Sequence, residues 1–150
     1  MRPGTENVAG ALALADCLEN HALPEKVANE LINARRRWKR LLSALAQIDR
    51  CRIIPAERGV DDEAYSPYIA QVGFKDIPGE VMSRALDDLG FAVSTGSACS
   101  SASPERPVLA AMGIDDSLSL EGIRISQGWS TTDEEIELLL NAISEVLQFL

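Results

Sequence analysis

With 150 residues, 46% of them hydrophobic, the chain can build one substantial core. A net charge of −9 argues against general nucleic-acid binding, because phosphate needs positive surface. No run approaches the ~18 apolar residues of a membrane span, Met1–Asn7 lacks a signal peptide's apolar segment, and three widely spaced cysteines form neither a disulfide framework nor a paired zinc motif, so a cytoplasmic protein without a metal site is expected.

The first half reads as two helices. Residues 7–20 are rich in Ala and Leu and end at the break His21-Ala22-Leu23-Pro24, where Pro24 suits the first turn of the next helix. That second helix, about 24–48, carries Val27, Leu31, Ala34, Trp38, Leu41, Leu45 and Ile48 in alternating steps of four and three, an apolar stripe on one face. At roughly 37 Å for ~25 residues it is long for a small domain, as a helix bridging two lobes would be.

The second half alternates strands and helices. Cys51–Ile54 is a strand candidate, and residues 57–66 form a polar, acidic loop. Residues 68–74 alternate as a half-buried strand does. A helix over 79–89 turns Val81, Met82, Ala85, Leu86 and Leu89 inward and stops at Gly90. Residues 91–94 read as a strand leading into Ser94–Ser103, where nothing is larger than Thr apart from one thiol, Cys99; this composition predicts a mobile loop. A helix over 104–112, a strand over 122–126 and a final helix opening at Thr131/Thr132 with two overlapping capping boxes complete the chain. The expected class is α+β, a small sheet covered by helices, divided into residues 1–49 (two helices) and 50–150 (the sheet domain with loop 94–103).

Three elements could carry chemistry. Cys99 on its loop suits a thiol that collects a group at one place and delivers it at another, or is simply a cysteine in a Gly/Ser linker. The chain's one histidine, His21, is far away in sequence, so no local base makes Cys99 a hydrolytic nucleophile. In Ile123-Arg124-Ile125-Ser126 the isoleucines share one strand face and Arg124 points to the other, where its planar fork suits either a bidentate grip on a carboxylate or a surface salt bridge. Arg2-Pro3-Gly4-Thr5, ahead of a helix, can hold an anion or be only a turn. The run Arg35-Arg36-Arg37-Trp38-Lys39-Arg40 splays around its helix by about 100° per residue. That favours a solvated face docking an acidic neighbour over nucleic-acid binding. Cys17 and Cys51 are expected to be buried packing residues.

Taken together, the Cys99 loop, Val108–Gly113 and Ile123-Arg124-Ile125-Ser126 closely resemble the C-terminal part of the cysteine desulfurases, pyridoxal-phosphate enzymes of the class V aminotransferase family. The match is to the long-loop group that serves iron–sulfur assembly. Residues 67–89 resemble the strand and helix before that loop, and Arg2-Pro3-Gly4-Thr5 resembles the family's R-x-G-T turn. The resemblance implies the small domain of a fold-type I enzyme, acting as a homodimer on L-cysteine. It implies that Cys99 takes sulfur as a persulfide for an acceptor or scaffold protein and leaves alanine. It also implies that Arg124 clamps the substrate carboxylate and that Thr5 reaches the cofactor phosphate of the neighbouring subunit.

The departures are large. The family's Schiff-base lysine, ring-stacking histidine and pyridine-pairing aspartate lie upstream of the R-x-G-T turn. Lys26, Lys39 and Lys75 match no lysine motif of the family, and His21 is not the stacking histidine. Pro104-Glu105-Arg106-Pro107 also replaces the usual sequence after the loop. The isolated chain is therefore expected neither to bind pyridoxal phosphate covalently nor to desulfurate cysteine. The alternatives are a stand-alone persulfide carrier and an interaction module that pairs with a full-length desulfurase.

Overall fold

The computed structural model describes residues 4–96 and 106–150; residues 1–3 and 97–105, and with them Cys99 and most of the expected loop 94–103, lie outside them. The chain forms two compact units, residues 1–33 and 34–150. The boundary falls inside helix α2 (Pro24–Leu45), whose buried residues begin at Ala34.

The first unit contains α1 (Val8–His21), opened by Asn7, whose side-chain oxygen accepts the Gly10 N–H at 2.9 Å. No residue of α1 is buried. Cys17 is exposed, which corrects the expectation of a packing role. Val27 and Leu31, on the same stripe as Ala34 and Trp38, are 50% and 37% exposed, so the buried stripe is shorter than the apolar one. The α-helix also ends at Leu45 rather than near 48; Gln47 and Ile48 donate to Ala44 and Leu45 in tighter turns.

The second unit is α+β. An antiparallel sheet in the order β1 (Cys51–Ile54), β2 (Ile69–Phe74), β3 (Gly122–Ser126) buries one face. Ala70, Val72 and Phe74, with Ile123 and Ile125, pack there against Leu41 and Leu45 of α2, Met82 and Leu86 of α3 (Gly79–Asp88), and Ile136 and Ile143 of the last helix. On α3 the inward face is narrower than expected, since Val81 and Leu89 are each 41% exposed. Two short helices, α4 (Pro107–Ala111) and α5 (Asp116–Glu121), precede β3, and α6 (Asp133–Phe149) closes the chain. The sequence reading contained no α5, although Asp115 caps it by accepting the Leu118 N–H. Among the described residues no helix is long and apolar enough to cross a membrane.

Two further expectations are corrected. Residues 91–93 form no strand; the one sheet-like contact is the pair Ser94↔Arg124. Of the two capping boxes, Thr132…Glu135 forms, whereas Thr131 uses its hydroxyl to accept the Gly128 N–H at 3.0 Å. The basic run docks on acidic side chains of its own unit: Arg35 on Glu63, Arg36 on Asp133, Lys39 on Asp61 and Arg40 on Glu137. Arg37 is buried, and its Nε donates to Gln127 Oε1 at 2.8 Å.

Candidate functional site

The second face of the sheet is only partly covered. Near Gly73 it lies under α5, close enough that a Cβ on Gly73 would stand 3.0 Å from Leu118 Cδ1. One step along the strands, the register aligns Ile54, Gln71 and Arg124 in a single row across β1, β2 and β3. Directly opposed residues share a face, so the Gln71 amide and the Arg124 guanidinium stand side by side. Here the sheet, the chain at Thr95 and Gly96, and α4 enclose a cavity of about 390 Å³. Ile69, Leu109 and Met112 give it apolar walls, while Gln71, Arg106 and Arg124 supply polar donors.

Arg124 is exposed, and among the described residues its guanidinium makes no hydrogen bond or ion pair. It occupies its place because Ile123 and Ile125 on either side are buried, which turns the residue between them outward. Its backbone pairs on the outer side with Ser94, whose N–H donates to the Arg124 carbonyl at 3.2 Å. The chain that enters the Cys99 loop is thus fastened to the strand that carries Arg124.

Arg106 follows the loop and is fastened to the same strand. Its Nη1 donates to the Gly122 carbonyl at 2.8 Å. Gly122 makes this approach possible: a Cβ there would stand 2.6 Å from Gln71 Nε2 and 3.2 Å from Arg106 Nη1. Burial pulls the Arg106 guanidinium below its ordinary pKa, with the Glu80 charge opposing. Neither Arg106 nor Gln71 was among the sequence candidates. The signals were the polar position within the 68–74 alternation and the unusual Pro104–Pro107 run.

Thr5 lies in the first unit, exposed, two residues ahead of the Asn7 cap. Cys99 lies outside the described residues. Of the buried or exposed thiols that are described, Cys51 is pushed up to about 12 by burial, the condition of a packing thiol rather than a nucleophile. No cluster of metal-ligating side chains occurs among the described residues.

The family description "Aminotransferase class-V" matches residues 1–139. The chain is 37% identical over 127 residues to "Cysteine desulfurase, mitochondrial" of Eremothecium gossypii, a match spanning 84% of this chain and 24% of the relative. It is 35% identical over 144 residues to "Cysteine desulfurase IscS" of Escherichia coli, spanning 95% of this chain and 33% of that protein. A solved structure titled "NifS-like protein" superposes with a TM-score of 0.79 at 29% identity, over 99% of this chain and 36% of that one. The chain thus spans about a third or less of the length of the curated relatives it matches. The second unit's sheet and helices agree with these neighbours, and the match over nearly the whole length shows that the chain belongs to the class-V aminotransferase family.

Proposed function

We propose that these residues are the C-terminal, small-domain part of a cysteine desulfurase of the long-loop group, in which L-cysteine leaves as L-alanine and its sulfur passes to Cys99 as a persulfide for iron–sulfur assembly. One observation carries the reading. Arg124 offers a guanidinium without a partner among the described residues at a cavity of about 390 Å³, and its own backbone holds Ser94, five residues before Cys99 in the chain. A free amino acid needs its carboxylate fixed before a thiol can reach its sulfur, and a guanidinium fork does this with two parallel hydrogen bonds. Sulfur acceptance asks for a thiol on a segment anchored close to that grip. A thiol with this task needs a reducing compartment.

Pyridoxal phosphate, which the family implies, needs an amine for covalent attachment. The three lysines are exposed; Lys26 donates to the Asn20 carbonyl at 2.9 Å and Lys39 pairs with Asp61 at 2.6 Å. The residues present do not fit a covalently held cofactor, so attachment falls to residues outside these 150. Thr5 is assigned a contact with the phosphate held by the neighbouring subunit of a homodimer.

The test is a chimera in which this chain replaces the matching third of the Escherichia coli relative. The chimera should bind pyridoxal phosphate and release alanine from L-cysteine. Cys99→Ser should abolish release while leaving the cofactor absorbance intact, and Arg124→Ala should raise KM for cysteine. The isolated chain should do neither. A chimera with normal cofactor absorbance and no alanine release, or alanine release by the isolated chain, contradicts the proposal.

A further inference from the structure

The cavity holds more positive charge than a single carboxylate requires. Arg106 and Arg124 both line it, and both stand over the same face of β3. Arg106, the residue that opens α4, reaches over to Gly122, two residues before Arg124, so its Nη1 contacts β3 about 7 Å along the strand from the Arg124 backbone. Each has donors to spare. Among the described residues Arg106 uses one of its five N–H groups, on the neutral Gly122 carbonyl, and the Arg124 guanidinium uses none.

Among the described residues neither charge has an ion-pair partner. Glu80 acts on Arg106 from a distance but makes no ion pair with it among the described residues, and it leans instead toward Arg84 at 3.8 Å. Arg106 is half-buried, and a guanidinium withdrawn from water with one neutral partner is under-compensated; an anion restores the balance. Between the two cations the floor is the Gln71 amide, and the walls are Ile69, Leu109 and Met112. This favours a ligand with an apolar middle and a charge at each end.

We propose that this cavity is a binding site for a linear dicarboxylate with two or three methylenes between its carboxylates, one end on Arg124 and the other on Arg106. The site rests on the same reading of Arg124 as a carboxylate grip that the proposed function uses; what it adds is the second cation, Arg106, so a failure confined to Arg106 leaves that reading intact. Arg106 is its specificity-determining residue: a monocarboxylate engages Arg124 alone, whereas a dicarboxylate engages both.

The test uses the 150-residue chain with glutarate and butyrate as probes at matched ionic strength. Binding is followed by calorimetry and by ¹⁵N NMR of the arginine side-chain Nε–H signals. One additional charge-assisted contact predicts that glutarate binds about ten-fold more tightly than butyrate. The Arg106 and Arg124 signals should both move with glutarate, while that of Arg52, outside the cavity, stays still. In Arg106→Gln the preference should fall to about one with butyrate binding unchanged. Equal affinities for the two probes, an Arg106 signal unmoved by glutarate, or a preference that survives Arg106→Gln would each overturn the proposal. The NMR readout on the unaltered chain decides the matter even if the variant does not fold.

Discussion

Gln127, which follows β3, ties three distant parts of the second unit together. Its Oε1 accepts from Arg37 Nε at 2.8 Å, and its Nε2 donates to the Ala34 carbonyl at 2.9 Å and the Pro67 carbonyl at 2.6 Å. The orientation of the amide follows from its partners, because a guanidinium only donates and carbonyls only accept. Gln127 is 8% exposed and Arg37 6%, so water is poorly placed to replace either contact. Gln127→Met keeps length and volume but removes all three hydrogen bonds. Two neutral bonds at about 1 kcal/mol each and one to a charged group at about 2 kcal/mol predict a loss of about 4 kcal/mol. That is a large share of a domain's ~5–15 kcal/mol. Gln127→Glu is the more diagnostic change. It offers Arg37 a full ion pair, yet it places a carboxylate oxygen against two carbonyls that had received a donor. We expect it to destabilise by about 2 kcal/mol despite the gained pair. Urea unfolding followed by tryptophan fluorescence measures both, since Trp38 is buried one residue from Arg37. A Glu variant as stable as the unaltered protein would show that the carbonyl contacts contribute nothing, and a Met variant within about 0.5 kcal/mol would remove the whole network.

Four further outcomes are expected. Gly79→Ala, in a helix where Ala is favoured by about 1 kcal/mol, should nevertheless destabilise by about 1–2 kcal/mol, because its Cβ would stand 2.5 Å from the Gly122 carbonyl oxygen; chemical denaturation that finds it stabilising would refute the close approach. In native protein at pH 8 a thiol reagent should modify exposed Cys17 readily and Cys51 only on unfolding, read by mass spectrometry of peptides. The Arg36 hydrogen bonds hold the Asp133 carboxyl below its ordinary value, so its small contribution is present above that value and lost as pH falls through the lowered one; carboxyl NMR should show a shift that Arg36→Gln removes. Limited proteolysis should cut within α1, which has no buried residue, before it cuts the sheet unit; protection of residues 8–21 in the chain at low concentration would contradict this.

Local spacing was sufficient for most of the elements, α5 and residues 91–94 excepted. The four-and-three steps through Ala34, Trp38, Leu41 and Leu45 placed them on one helix face, and the Ile123-Arg124-Ile125 alternation turned Arg124 away from the core. Thr132 and Glu135 likewise announced the start of α6. These features depend on the period of helix and strand, which neighbouring residues determine among themselves. The tertiary structure decided what each face meets. Val27 and Leu31 continue the α2 stripe yet stay exposed, because periodicity identifies a face and says nothing about what covers it. Residues 91–94 had a strand's composition, but the backbone opposite them pairs at Ser94 alone. The site shows the same division. Arg124 was legible from two flanking isoleucines, whereas the Gln71 amide beside it, the Arg106 guanidinium over Gly122 and the Gln127 clamp on Arg37 join residues up to 90 apart in sequence. Such contacts exist only after the chain has closed those loops, and the entropy of closure leaves no mark in any local pattern of residues.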